Sequence, residues 1–160
     1  YESSIENMVR YVNDIAGIRI SCSFTSDIYL IADMISKQND LTILARRDYM
    51  KNPKKSGYRS YHMLITVPIQ TTNGINPTKV EIQIRTIAMD FWASLEHKIY
   101  YKSDFEAPDY LQRELKACAD VVDMLDAKMF SLNQAILEWN RRDDGKQEEK
   151  TVAENRRTEQ

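Results

Sequence analysis

The residues best equipped for chemistry in this chain are a run of cations interleaved with tyrosines. Over residues 46–59 the cations Arg46, Arg47, Lys51, Lys54, Lys55 and Arg59 stand against one acid, Asp48. Tyr49 and Tyr58 lie among them, and Tyr61 and His62 follow. Cations neutralise phosphates and an aromatic face offers a stacking surface to a base, so the combination reads as a nucleotide site. A solvated lysine-rich loop is the plainer account of such charges, and the interleaved rings argue against it. A second cluster lies on a strand: Lys79, Glu81, Gln83 and Arg85 alternate with Val80, Ile82 and Ile84, which puts the four polar side chains on one face. By pattern alone this suits an edge strand with a wet face. On a central strand the same face must be covered or functional, because unpaired buried charge is costly. The third feature is a pair of carboxylates, Asp14 and Glu81, each beside a strongly patterned strand. If those strands are neighbours, the two could hold Mg²⁺, which prefers oxygen ligands and bridges to substrate phosphates.

Other chemistries find little support. His62 and His97 are far apart and lack acidic or cysteine companions at ligand spacing, so no transition-metal site is indicated. No P-loop, G-x-G-x-x-G or G-x-S-x-G occurs, which disfavours the kinase, dehydrogenase and hydrolase classes that carry them. With a formal net charge of −2 the chain as a whole is not a basic nucleic-acid binder, so any phosphate site must come from local charge.

These groups need elements to position them. Residues 3–13 are helix-like. After Gly17 the alternation of Ile18, Ile20, Cys22 and Phe24 with polar residues predicts a half-buried strand. Residues 25–27 resemble a helix start, with Ile28, Ile31, Ala32 and Ile35 at helical spacing. Strands are predicted at 41–47 and 61–67, a loop at 49–60, a polar turn region at 68–77, and the clearest strand at 79–85. Thr86 can cap a helix running to about Tyr101, with Ile87, Phe91, Leu95 and Ile99 as its buried stripe. Strands interleaved with helices predict a mixed α/β sheet packed against helices. From Pro108 onward, Leu111, Leu115, Cys118, Val122, Leu125, Met129, Leu132, Ile136 and Trp139 follow heptad steps. That stripe is either one or two helices lying on the sheet or an oligomer seam. Residues 141–160 are polar and charged, expected as a frayed helix or disordered tail.

At 160 residues, 42% hydrophobic and 29% charged, the chain suits one globular core. Cys22 and Cys118 are far apart and are expected to be reduced, packed as small hydrophobes in a cytosolic protein. No apolar stretch approaches the ~18 residues that span a bilayer and no secretory leader opens the chain, so the expected location is the cytoplasm, with no membrane partner. The start at Tyr1 rather than Met reads as a fragment of something longer.

Several of these pieces occur together in one order: residues 14–19 (Asp14 to Arg19), Arg47-Asp48-Tyr49, residues 57–62 (Gly57 to His62), residues 80–86 (Val80 to Thr86) and residues 88–98 (Ala88 to Lys98). The set resembles the synthetase domain of the RelA/SpoT family, in particular its single-domain small alarmone synthetases, over roughly residues 4–137. The resemblance implies a nucleotidyltransferase-like α/β (α+β) fold, a mixed β-sheet flanked by helices with a long C-terminal helical segment. It implies a synthetase domain over 1–140, including C-terminal helices at 108–140, followed by the tail at 141–160. It implies a GTP pyrophosphokinase, moving the β,γ-pyrophosphate of ATP onto the ribose 3′-hydroxyl of GDP or GTP to give (p)ppGpp and AMP in the stringent response. Asp14 and Glu81 match the family's Mg²⁺-binding carboxylates, and Glu81 is also the candidate to help deprotonate the acceptor hydroxyl. Arg19 matches an ATP-side arginine. Tyr58 matches the tyrosine that stacks on guanine through its ring face, and Arg47, Lys54 and His62 fall in the loop that holds the acceptor nucleotide. Gln83, Asp90 and Glu96 match further acceptor-side positions. Further ATP-binding arginine and lysine residues of the family would precede Tyr1. The absence of a His-Asp dipeptide and the length imply a synthetase without the hydrolase domain, and the resembling small synthetases are homotetramers. Open alternatives are the same fold acting on an adenine nucleotide or a tRNA 3′ end, and a non-catalytic nucleotide- or RNA-binding module.

Overall fold

The computed structural model describes residues 16–72, 74–101 and 108–158, with backbone alone for residues 100–101 and 143–158. The helix expected over 3–13, and Asp14, lie outside the described residues. The elements are β1 (Gly17–Cys22), α1 (Thr25–Ser36), β2 (Thr42–Asp48), β3 (Tyr61–Thr71), β4 (Gly74–Thr86), α2 (Ile87–Tyr101) and α3 (Asp109–Thr158). The strands form one sheet in the order β1-β4-β3-β2. β1 runs parallel to β4, and the other two pairings are antiparallel. This is the mixed sheet flanked by helices that the strand and helix patterning predicts.

The strand of alternating charge, β4, is therefore central. The edge-strand account of its polar face is overturned: β1 and β3 take its two edges, so Glu81, Gln83 and Arg85 project from the middle of the sheet. On its other face Val80, Ile82 and Ile84 join Met63 and Ile65 of β3, Cys22 of β1 and Ile28 and Ala32 of α1 in the main core. Full burial of such a side chain contributes about 1.5–3 kcal/mol. Asp27 opens α1 by accepting the Phe24 N–H at 3.0 Å, supplying a partner to an amide at the helix start.

Three local expectations differ. The region 68–77 is not a turn but the outer part of the β3–β4 hairpin, with Pro68 opposite Pro77 and Gly74, at φ +109°, beginning the return strand. Two prolines face each other where neither strand can donate to the other, and they read as loop in sequence for that reason. Helix α2 buries Met89, Trp92 and Ala93 rather than the expected stripe; Ile87 and Phe91 are 65% and 63% exposed. Because α2 follows β4 directly from a buried Thr86, its entry angle selects the packed face. Cys118 is exposed on α3, while Cys22 is buried as expected. The side of α3 that packs carries Leu115 and Ala119, with Val122 partly covered.

The chain divides after Asp126 into two compact units. In the first, α3 contributes its opening turns to the core. In the second, residues 127–160, the helix leaves Met129, Leu132, Ile136 and Trp139 exposed, so the heptad stripe is not buried there. Among the described residues no helix is long and apolar enough to cross a membrane.

Candidate functional site

Sheet register builds the site. Arg47 of β2 pairs with His62 of β3, His62 with Gln83 of β4, and Gln83 with Arg19 of β1. Directly opposed residues point to the same side of a sheet, so these four polar side chains form a row across all four strands. The next row holds Ala45, Leu64, Glu81 and Gly17. Glu81 is thus the one carboxylate of its row, beside an apolar side chain on one edge and a glycine on the other.

Above these rows opens a cavity of about 590 Å³. Its walls include Arg19, Arg47, Lys54, Tyr58, His62, Glu81, Gln83 and Glu96 of the sequence-predicted set. Five cations, Arg19, Arg47, Lys54, Arg85 and Lys98, face two carboxylates, Glu81 and Glu96, among the described lining residues. A cavity of this polarity and sign suits a polyanion.

The basic loop supplies fewer cations to the cavity than its charge suggests. Only Arg47 and Lys54 of its six line it. Arg46 donates to Ser36 Oγ at 3.1 Å, Arg59 pairs with Asp123 at 3.1 Å, and Lys51 lies over the Tyr29 ring. The loop is folded rather than loose. Asp48 Oδ1 accepts the N–H groups of Met50 and Lys51, both at 3.0 Å, and Arg59 donates to Met50 O at 3.1 Å. Gly57 presses it against α3: at φ +90°, a Cβ added there would lie 2.5 Å from Ala119 Cβ. Glycine is required at that position twice over, by conformation and by space.

That folding aims Tyr58 at the sheet. Lys54 Nζ lies 4.9 Å from its ring centre and the Arg85 guanidinium carbon 5.6 Å. The Tyr58 hydroxyl, which the ring-face account of this residue left without a task, lies 2.9 Å from His62 Nε2. His62 Nδ1 in turn lies 3.1 Å from Glu81 Oε1, and Gln83 Nε2 donates to Glu81 Oε2 at 2.9 Å. Burial pushes the Glu81 carboxyl up, but the hydrogen bonds from Gln83 and His62, with the Arg47 charge, outweigh it and hold the group below its ordinary range. Burial lowers His62, against the opposing pull of Glu81, and raises the Tyr58 phenol, against the Arg85 charge. The directions agree on an ionised Glu81, a neutral imidazole and a protonated phenol at neutral pH.

Asp90 does not line the cavity. Its Oδ1 sits 3.4 Å from the Nε of both Arg19 and Arg85, two residues that do line it. The predicted site set left out Arg85, as it did Tyr49 and Lys98 of the cavity wall. The Arg85 side chain is 3% exposed, it donates to Gln83 Oε1 at 2.7 Å, and burial lowers its pKa against the stabilising charge of Asp90. The signal was present, since strict alternation on β4 puts Arg85 on the face of Glu81 and Gln83.

The sequence model described as "Region found in RelA / SpoT proteins" matches residues 2–106. The chain belongs to the RelA/SpoT family. It is 47% identical over 135 residues to the GTP pyrophosphokinase YwaC of Bacillus subtilis (strain 168), an overlap of 84% of this chain and 64% of that protein. To the GTP pyrophosphokinase YjbM of the same organism it is 38% identical over 130 residues, 81% of this chain and 62% of the relative. Its fold superposes with a TM-score of 0.79 on the small alarmone synthetase 1 from Bacillus subtilis bound to its product pppGpp, at 37% identity, covering 83% of this chain and 68% of that one. The chain thus spans less than two thirds of the length of either pyrophosphokinase. As a RelA/SpoT region it has the mixed sheet of the small synthetases.

RelA/SpoT catalysis raises the question of a divalent cation. Among the described residues no cluster of three His, Cys, Asp or Glu side chains forms a protein-only metal cage. Mg²⁺ does not need one, since it is commonly held by one or two carboxylates, waters and substrate phosphates. Glu81 fits that donor set. Each of its oxygens accepts one hydrogen bond and keeps a lone pair, and beside it, at Gly17, an added Cβ would meet nothing nearer among the described residues than Glu81 O at 4.0 Å.

Proposed function

We propose that this chain is the catalytic region of an ATP:GTP 3′-pyrophosphotransferase, making (p)ppGpp and AMP from ATP and GDP or GTP. The observation that carries the reading is Glu81: an ionised carboxylate with both oxygens oriented by neutral donors, at the floor of a cationic cavity with a tyrosine on its wall. In the proposed reaction the acceptor's 3′-hydroxyl gives its proton to Glu81 as its oxygen bonds to the β-phosphorus of ATP. The bond between the β-phosphorus and the oxygen bridging to the α-phosphate breaks, and AMP leaves carrying that oxygen. Such transfer depends on in-line positioning and on positive charge around the phosphates. Tyr58 carries the acceptor base, while Lys54 and Arg47 hold the acceptor phosphates. Arg19 serves the ATP side, and Asp90, shared between Arg19 and Arg85, fixes the spacing of those two guanidinium groups. Mg²⁺ would be held by Glu81, with Asp14 the second carboxylate, and would neutralise charge on the transferring phosphates.

The test is a product assay on the full-length protein, given labelled ATP, Mg²⁺ and, in separate reactions, GDP, GTP, GMP, an adenine nucleotide or tRNA. The expected result is label in ppGpp or pppGpp. Label appearing only on the adenine nucleotide or on tRNA would replace the guanine acceptor. Nucleotide binding without label transfer would make the chain a binding module.

A further inference from the structure

The contacts around Glu81 close on themselves. From Tyr58 they run through the hydroxyl to His62 Nε2 (2.9 Å) and from His62 Nδ1 to Glu81 Oε1 (3.1 Å). From the other carboxylate oxygen they run to Gln83 Nε2 (2.9 Å) and from Gln83 Oε1 to Arg85 Nη2 (2.7 Å). The Arg85 guanidinium then returns to the Tyr58 ring, its carbon 5.6 Å from the ring centre. Chemistry fixes the direction of each hydrogen bond. An ionised carboxylate only accepts, so Nδ1 must carry the imidazole proton facing Oε1. In the neutral ring Nε2 is then bare and accepts from the Tyr58 hydroxyl. This is the Nδ1–H tautomer, selected by the bond that the other ring nitrogen makes.

We propose that the Tyr58 hydroxyl and His62 are positioning residues for Glu81, so that seating the acceptor base on Tyr58 and aiming the carboxylate at the acceptor hydroxyl are one coupled event. The inference rests on the pyrophosphotransferase reading and goes beyond it, since it assigns the hydroxyl, and not only the ring face, a part in turnover. A glutamate side chain on a strand has three torsions and would sample several rotamers; two hydrogen bonds from opposite sides leave it one. The donor on one side is itself held by the residue against which the base would stack. A base that fails to seat leaves the Tyr58 ring, and through it the whole circuit, less constrained. Recognition is thereby tied to rate rather than to affinity alone.

The decisive variant is Tyr58→Phe in the full-length protein, which keeps the ring and removes only the hydroxyl. Outer-shell partners of a functional group typically contribute 10- to 100-fold, so kcat with GDP should fall by roughly that factor while KM for GDP stays near the wild-type value. Tyr58→Ala should show the other signature, a KM raised by about one to two decades from lost stacking. His62→Asn, which keeps an N–H donor near the Nδ1 position, should retain more turnover than His62→Ala. An independent readout is the ¹⁵N NMR of the His62 ring, recorded where the imidazole is neutral. The proton should sit on Nδ1, and the Nε2 resonance should move in Tyr58→Phe. A wild-type kcat in Tyr58→Phe, or a proton on Nε2, overturns the proposal. A wild-type protein that makes no guanosine product, yet shows the Nδ1 proton and loses turnover on another acceptor in Tyr58→Phe, refutes the assigned acceptor and leaves the coupling standing.

Discussion

Across the thickness of β4 the molecule passes from a site to a core. On one side Gln83 stands in a row with His62, Arg19 and Arg47, flanked along the strand by Glu81 and Arg85, and all six line the cavity. On the other, Val80, Ile82 and Ile84 meet Met63, Ile65 and Ile28, and among the described residues the buried charge on that side is Asp126, which the Thr86 hydroxyl contacts at the end of the strand. The same backbone serves both faces, so its position is fixed by apolar packing while its polar side chains are free to be chosen for chemistry. The lesson is a division of labour within one strand: every even residue from 80 to 84 holds the sheet, and every odd one from 81 to 85 faces the site. A site built in this way inherits the rigidity of the core, which suits a reaction governed by alignment.

The comparison breaks most visibly at Glu81. Glu81→Gln keeps the shape and the capacity to accept from His62, but it cannot take a proton. Turnover should fall by roughly 10²- to 10⁴-fold, the usual contribution of a general base, while the thermal melt stays close to wild type. Product formation and differential scanning measured side by side decide it; near-normal turnover would remove Glu81 from catalysis.

The next largest effect should come from the opposite face. Ile84 is fully buried, one residue from Arg85 and three from Glu81 along the strand. Ile84→Ala should destabilise the fold by about 2–5 kcal/mol through lost burial and a residual cavity. Activity per folded molecule, measured well below the melt, should stay within a few-fold of wild type. If instead Ile84→Ala lost turnover with little change in stability, the two faces would not be separable as described.

Much of this division was legible in the residues themselves. Alternation on 79–85 gave both faces of β4 without any knowledge of its neighbours, and it already grouped Arg85 with Glu81. Alternation is silent about what lies beside a strand, so the wet edge and the central site fitted the same letters until pairing with β1 and β3 was seen. The row of Arg47, His62, Gln83 and Arg19 depends on register across three strand pairs, one carrying a bulge between Ile43 and Ala45, and no local pattern encodes that. The exposed Ile87 and Phe91 of α2 have a similar cause. Two apolar stripes were available on that helix, and the packing of Trp92 on α3, through Nε1 to Leu115 O at 3.1 Å, selected the other. The charge of the basic loop was plain, but which of its cations reached the cavity was decided by partners distant in sequence, such as Asp123 for Arg59.

The smallest effect should arise at a buried polar contact on the core face that includes a carboxylate. The Thr86 hydroxyl donates to Asp126, which is 8% exposed, and accepts the Met89 N–H at 3.1 Å, capping α2. Burial raises the Asp126 pKa, and the nearby Asp123 charge adds to this against the lowering effect of the Thr86 hydrogen bond. The folded state therefore binds this proton more tightly than the unfolded chain does. The stabilising effect of the neutral acid is fully present below the ordinary carboxylate pKa and is lost as pH rises through the raised folded value. At neutral pH Asp126 is a net cost held in place by its hydrogen bond. Asp126→Asn keeps an oxygen to accept from Thr86 and has no charge to desolvate, so its melting temperature at pH 7 should equal or slightly exceed that of wild type. The gap should close as the pH falls towards the unfolded carboxylate value, because wild-type Asp126 then becomes neutral as well. Asp126→Ala, which leaves the Thr86 hydroxyl without its acceptor, should be less stable than Asp126→Asn at every pH. An Asp126→Asn protein that melts well below wild type at pH 7 would mean that the charge itself stabilises the end of β4, and that the core face is less purely apolar than its packing indicates.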